Sequence, residues 1–254
     1  MNIAKQIIDQ RITGIVADNP FVFDDLADLE RKRSRAFLLL GVAAYLGIDM
    51  AEAVQYITDG ANDGGFDAAY IAQQGEGRLG VALFQSKYVR DLEKDSNFPA
   101  NAIEKAVSTI QSVFDPAKEL QLNEKSRQKV EEIRSYKEHV PYVTFVMLNN
   151  GLSWNQDGQS HIDNAYKGNG QVEFVHFNHN DIIKHMHQPP SIDTKIQFKG
   201  KAIQEDFDYK RVMLGKVSVN EIHRLIEEFG DGLLEKNIRK FLGLNPVNKQ
   251  ICDT

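Results

Sequence analysis

Three side chains on two neighbouring segments have the types and spacing that metal-dependent chemistry needs. Asp67 follows a glycine-rich turn, and Gln85 and Lys87 stand two residues apart on a later apolar segment. Side chains alternate faces along a strand, so Gln85 and Lys87 point the same way, and strand pairing brings Asp67 close to them. Carboxylate and amide oxygens suit a hard cation such as Mg²⁺ or Mn²⁺. The pattern predicts metal-assisted phosphodiester hydrolysis, with the lysine orienting water or stabilising charge on a phosphate.

A turn and two strands must position these side chains. Residues 59–65 (Asp-Gly-Ala-Asn-Asp-Gly-Gly) give the strongest turn signal, because glycine adopts positive φ without penalty. The apolar segments 66–72 and 81–89, with a polar connection between them, predict an antiparallel hairpin. We interpret Asp59 and Asp63 as turn-forming residues that hydrogen-bond their own backbone.

The rest of the chain predicts alternating helices and strands. Helical patterns occupy residues 24–46, 101–114, 124–139, 161–166, 180–187, 219–229 and 232–241. Strand patterns occupy residues 142–148, which are apolar enough for burial on both faces, and residues 172–177, 195–203 and 209–217. We therefore expect an α/β fold over residues 1–188, with a mixed sheet that carries an antiparallel hairpin and is flanked by helices. A smaller α+β region at residues 189–254 follows, which we expect to be truncated.

Composition excludes several classes of protein. The 254 residues are 42% hydrophobic and 26% charged, which is incompatible with wholesale disorder. The net charge of -6 argues against a generally basic nucleic-acid coat protein, although it allows a local basic channel. The single cysteine, Cys252, cannot form an internal disulfide or build a cysteine-based zinc site. No apolar run is long enough for a membrane span and no signal-peptide core is present, so we expect a cytoplasmic protein.

Two groups of motifs resemble known families. Residues 64–67 (Gly-Gly-Phe-Asp), followed by residues 85–87 (Gln-Ser-Lys), resemble the PD-(D/E)XK nuclease superfamily. Gln in place of the usual acid is similar to the Mrr-type restriction nucleases. Two further motifs resemble the abortive infection phage resistance (AIPR) proteins. The first is residues 57–60 (Ile-Thr-Asp-Gly) followed by 62–67 (Asn-Asp-Gly-Gly-Phe-Asp). The second is residues 234–243 (Leu-Glu-Lys-Asn-Ile-Arg-Lys-Phe-Leu-Gly) followed by 247–249 (Val-Asn-Lys).

The resemblance implies a role for each matching residue. Asp67 would be a metal ligand, Gln85 would occupy the second ligand position, and Lys87 would be the catalytic lysine. The superfamily also uses an acid on the first helix, for which Glu30 is the first candidate and Asp28 the second. The implied function is a restriction-endonuclease-like, magnesium-dependent nuclease that cuts DNA in preference to RNA and acts in phage defence.

Alternatives stay open at this point. The second hypothesis follows from the neutral Gln85, which weakens metal affinity. It is a catalytically weak or inactive nuclease-like module that binds nucleic acid or a protein partner. A third is an interaction scaffold whose second region recognises a phage or host protein. Arg31, Arg35 and Arg90 are candidate nucleic-acid contacts, although a basic helix face is often simply solvated. The sequence does not predict an oligomeric state.

Overall fold

The computed structural model describes residues 2–74, 77–186, 194–207 and 210–229. The chain divides into two compact units, Met1–Gln188 and Pro189–Thr254. The helix predicted at residues 232–241 and the second AIPR-like motif lie outside the described residues. The candidate site lies in the first unit.

The first unit is built from helices and strands in alternation. Its helices are α1 (Ile3–Asp18), α2 (Leu29–Leu46), α3 (Met50–Ala53), α4 (Ala100–Val113), α5 (Glu124–Ser135), α6 (Gln156–Tyr166) and α7 (His179–Met186), with short 3-10 helices at Pro20–Phe23 and Val54–Tyr56. Its strands are β1 (Ala68–Gln74), β2 (Arg78–Lys87), β3 (Val140–Asn149) and β4 (Val172–Asn178).

The strands of the first unit form one mixed sheet in the order β1-β2-β3-β4. β1 and β2 are antiparallel, with Ala68 opposite Phe84, whereas β2 and β3 are parallel, with Lys87 level with Asn149. β4 continues the sheet parallel to β3. The predicted α/β class and the hairpin within a mixed, helix-flanked sheet are confirmed.

Helices cover both faces of this sheet and bury a core on each. Residues of α1, α2 and α7 pack with Phe84 and Leu148 on one face. Residues of α4 and α5 pack with Leu83 and Met147 on the other face. β3 contributes to both cores, which explains why its sequence is apolar without alternation.

Capping residues account for the ends of α2. The Asp28 side chain accepts from the backbone N–H groups of Glu30 and Arg31, and Gly47 ends the helix in the left-handed conformation. The helical pattern predicted from residue 24 was wrong at its beginning, because this cap starts the helix at Leu29. The sequence reading also missed α1, which buries Ile8 and Ile12 in the core beneath α2.

The second unit contains an antiparallel pair and a helix among its described residues. The strands are β5 (Lys199–Phe207) and β6 (Lys210–Lys216), and the helix is α8 (Val219–Phe229). Among the described helices of the whole chain, none alone has the length and apolar character to cross a membrane. One pair, Leu29–Leu46 with Met50–Tyr56, meets those criteria jointly and is bent by 113°.

Candidate metal and phosphate site

Three aspartates of the turn predicted from sequence form an acidic cluster. Asp59, Asp63 and Asp67 each place one carboxylate oxygen so that the three oxygens lie within 4.8 Å of one another. Carboxylate oxygens at this spacing are the donor set that Mg²⁺, Mn²⁺ and Ca²⁺ take up. The chain therefore carries a group of side chains that could hold a divalent cation.

Backbone hydrogen bonds close the loop that carries these aspartates. The carbonyl of Asp67 accepts from the N–H groups of Thr58 at 2.9 Å and Asp59 at 3.0 Å. The side chain of Asn123 donates to the carbonyl of Thr58 at 2.9 Å, and its own N–H donates to the carbonyl of Asn62 at 2.7 Å. These contacts bring the first and last aspartates together, although they are eight positions apart in the sequence.

Asp67 is attached directly to the end of β2. Its N–H donates to the carbonyl of Phe84 at 2.7 Å, and its Oδ2 accepts from the N–H of Ser86 at 2.6 Å. The bond from Ser86 fixes the orientation of the carboxylate relative to the strand that carries Gln85 and Lys87. The predicted proximity of the turn acid to this strand is thus present in the structure.

Two glycines let the loop pack against α4. Gly65 has φ +94°, and a β-carbon added there would lie 2.4 Å from Oγ1 of Thr109. Gly64 has φ +79°, and its added β-carbon would lie 2.6 Å from Leu122. The Thr109 hydroxyl donates to the carbonyl of Gly64 at 2.9 Å. No other residue type combines this backbone conformation with so close an approach.

A cavity of about 360 Å³ opens onto the acidic cluster. α2 contributes four residues to the cavity wall: Arg31, Ser34, Arg35 and Leu38. Their spacing of three or four residues places them on one face of the helix. The remaining lining residues come from the loop and from the end of β2: Asp59, Asp63, Asp67, Ser86, Lys87 and Tyr88. The structure therefore brings Asp67 and Lys87 into one pocket, as the sequence predicted.

The cations around this cavity fall into two kinds. Arg35 is buried and pairs with Asp25 at 2.5 Å and with Asp59 at 3.1 Å, which raises the pKa of its guanidinium even though burial opposes the charge. Arg31 and Lys87 are exposed and form no ion pair with any residue that the structure describes. Arg35 thus braces the loop against α2, whereas Arg31 and Lys87 are available to an anion.

The electrostatics of the cluster favour a bound cation. Burial, with a smaller contribution from the carboxylates of Asp63 and Asp59, raises the pKa of Asp67 to about 7 against the opposing effect of the Ser86 N–H and the Lys87 ammonium. In the same cavity wall, the buried hydroxyl of Ser86 has no hydrogen-bond partner among the residues that the structure describes. A buried carboxyl with two further carboxylates beside it, and a hydroxyl in the same wall, suit a divalent cation in both charge and donor chemistry.

Gln85 lies apart from the lining of this cavity. Its side chain is almost completely buried, and its Oε1 has no hydrogen-bond partner among the described residues. Alternation along β2 places Gln85 on the face of Leu83, where α4 packs. The expectation that Gln85 and Lys87 share one face with Asp67 is therefore not met at the cavity, and the part of Gln85 as a second metal ligand stays a prediction.

Glu30 and Arg90 also lie outside the cavity lining. They form an ion pair with each other at 2.8 Å, on the exposed surface of the molecule. Asp28, the second candidate for the helix acid, is occupied as the N-cap of α2. Glu30 precedes Arg31 by one residue, which rotates its side chain about 100° away from the face that lines the cavity. The acids that accompany Asp67 come instead from the loop.

Sequence reasoning missed the contribution of Asp59 and Asp63. Asp63 does form the expected turn, since its Oδ1 accepts from the N–H of Gly65 at 2.8 Å. Both residues nevertheless reach the cluster through their carboxylates. The available signal was the recurrence of an aspartate every four residues, at positions 59, 63 and 67, within a glycine-rich loop.

The first unit is thus an α/β domain with an acidic cluster at one end of its mixed sheet, where Arg31 and Lys87 are exposed beside it. No protein-family model, curated protein or solved structure matches the chain.

Proposed function

We propose that this chain is a metal-dependent nuclease that hydrolyses phosphodiester bonds, with DNA as the preferred substrate. The observation that carries the proposal is the shared cavity of Asp67 and Lys87, to which Asp59 and Asp63 add two further carboxylates. The antiparallel hairpin, continued by a parallel third strand, supports a restriction-endonuclease-like arrangement. In such an arrangement the acid and the lysine stand where the first strand begins and the second ends.

Asp59, Asp63 and Asp67 would hold the cation. When bound, Mg²⁺ or Mn²⁺ supplies Lewis acidity toward a phosphate oxygen and lowers the pKa of water. Lys87 carries three N–H donors and lies beside Asp67, so it can orient a water molecule or donate to a non-bridging phosphate oxygen. Arg31, on the cavity wall, can bind a neighbouring phosphate and fix the strand in register.

The direct test is cleavage by the full chain. Plasmid, linear duplex DNA, single-stranded DNA and RNA are incubated with Mg²⁺, with Mn²⁺ and with EDTA. We expect cutting only with a divalent cation, and we expect Asp67→Asn and Lys87→Ala to abolish it while the far-ultraviolet circular dichroism stays unchanged. Asp18→Asn, on the exposed end of α1, is the matched control for the loss of one charge. Full cutting by Asp67→Asn would overturn the proposal.

A binding module without cleavage is the second candidate function. It is favoured by the neutral Gln85 and by the position of Glu30, which leaves α2 without an acid in the cavity wall. Under this alternative the chain retains nucleic acid in a gel-shift assay, and no cation elicits cutting. Arg31→Ala then weakens retention, whereas Asp67→Asn leaves it unchanged or strengthens it, because a negative charge has been removed.

The AIPR resemblance extends the proposal to phage defence. We expect that expression of the wild-type chain in a bacterial host lowers phage plaque counts. Expression of Asp67→Asn at the same level should not lower them. Equal protection by the wild type and Asp67→Asn would show that any role in phage defence does not depend on the cavity.

A further inference from the structure

A second cavity, of about 520 Å³, is lined by the glycine-rich loop of residues 59–65 that carries the acidic cluster. Its walls are the loop around Gly64 and Gly65, the exposed side of α4, and residues 120–122. Asp63 lines both cavities, so the two meet at the loop. A chain molecule that occupies the first cavity can therefore continue into the second.

The lining of this second cavity combines an apolar floor with neutral polar groups. Leu120 and Leu122, which are half-buried, supply the apolar surface, above the buried side chains of Phe66 and Val113. The amides of Asn62 and Gln121 and the hydroxyl of Ser108 supply hydrogen-bonding groups of both kinds. This combination suits a planar heterocycle that lies on an apolar surface and is read at its edge, as a nucleotide base is once it leaves the stack.

Lys105 provides a cation at the boundary between the loop and this cavity. It is exposed, and the aliphatic part of its side chain lies across Gly65, with Cε 3.1 Å from where a β-carbon would stand. It forms no ion pair with any residue in the described part of the chain. Lys118, by contrast, donates to the hydroxyl of Ser112 at 3.1 Å. The ammonium of Lys105 is therefore free to contact a phosphate.

We propose that the second cavity binds one unpaired nucleotide, adjacent to the phosphate that lies at the acidic cluster. Lys105 contacts the phosphate of that nucleotide, and Asn62, Ser108 and Gln121 contact its base. This inference rests on the proposed nuclease function and deepens it. The strand must be single or locally opened where it crosses the loop, because a base within a duplex cannot enter a cavity of this kind.

The test measures binding rather than cutting. The full chain is titrated in EDTA against a fluorescent single strand of about 12 nucleotides and against the matched duplex, with anisotropy as the readout. Lys105→Gln should weaken single-strand binding about 3- to 10-fold and lower the slope of log affinity against log salt by about 0.7. Lys137→Gln is the control, because Lys137 is an exposed lysine beside Leu79 and Pro141, at the other end of the sheet. It should change neither quantity.

A second variant fills the cavity itself. Ser108 is exposed on α4, so Ser108→Tyr should leave the thermal midpoint unchanged and weaken single-strand binding at least about tenfold. The inference is overturned if folded Lys105→Gln and Ser108→Tyr bind like the wild type, or if the duplex binds more tightly than the single strand. Failure of the nuclease proposal is read separately, as absence of metal-dependent cutting. If cutting is absent while Lys105→Gln still weakens binding in EDTA, the nucleotide cavity is supported and the nuclease proposal is not.

Discussion

At the scale of single residues, the raised pKa of Asp67 makes this side chain destabilising in the metal-free protein. Its carboxyl titrates at about 7 in the fold, against an ordinary value of 3.8. The unfolded chain therefore releases this proton first. The stability that protonated Asp67 contributes is complete at low pH and is lost as the pH rises through about 7.

Asp67→Asn should remove this penalty while the side-chain oxygen still accepts from Ser86. In EDTA, we expect the gain in unfolding free energy from Asp67→Asn to be about 1–3 kcal/mol larger at about pH 8 than at about pH 5. Urea unfolding at the two pH values measures it, and Asp18→Asn should show no such difference. A loss of stability at the higher pH would contradict the assignment of burial and like charge as the cause.

Arg31 and Arg35 are both candidates for nucleic-acid contact, but we expect Arg35 to stabilise the fold and Arg31 to bind nucleic acid. Arg35→Ala leaves the carboxylates of Asp25 and Asp59 without their partner beneath the loop, so we expect a loss of about 2–3 kcal/mol in unfolding free energy. Arg31→Ala should alter stability by less than about 0.5 kcal/mol and weaken binding of single-stranded DNA. Urea unfolding and anisotropy on both variants decide this, and equal effects on stability would refute the distinction.

At the scale of elements, the glycine loop depends on its contact with α4. Gly65→Ala places a β-carbon 2.4 Å from the Thr109 hydroxyl at a positive φ, so we expect a loss of about 2–4 kcal/mol and loss of Mn²⁺ binding. Gly77→Ala is the matched control, because Gly77 also has a positive φ but no atom within 4 Å of the added β-carbon. It should lose only about 1 kcal/mol. Equal losses of unfolding free energy in the two variants would show that glycine is required at position 65 because of its φ alone, and not because of the contact with Thr109.

The elements themselves were largely predictable, because their patterns are local. Alternation and turn residues indicate the hairpin of β1 and β2, and a continuous apolar run indicates a strand buried on both faces. The acidic cluster was less predictable, since it depends on distant contacts. Asn123, far from the loop in sequence, fixes its first half, and Asp67 closes it through a backbone carbonyl. The sequence also did not predict which side chain of α2 faces the cavity. A rotation of one residue along the helix decides whether Glu30 or Arg31 does so, and Arg31 lines the cavity.

At the scale of the whole molecule, the contacts that build the candidate site all belong to the first unit. The loop, α2, α4 and the end of β2 lie within Met1–Gln188, as do the two cores that support them. Because both faces of the sheet are covered within this unit, its fold does not need the second unit to complete a core.

A fragment ending at Gln188 should therefore fold and keep its response to metal. Mn²⁺ at about 100 times its dissociation constant should stabilise the fragment by about 2.7 kcal/mol, because only the native state brings the three aspartates together. Differential scanning calorimetry with and without Mn²⁺ measures the shift, and the full chain should show a shift of the same size. The fragment carrying Asp67→Asn is the control and should show none. A folded fragment without the shift would place part of the metal site beyond Gln188, and a fragment that fails to fold would show that the first unit depends on the second.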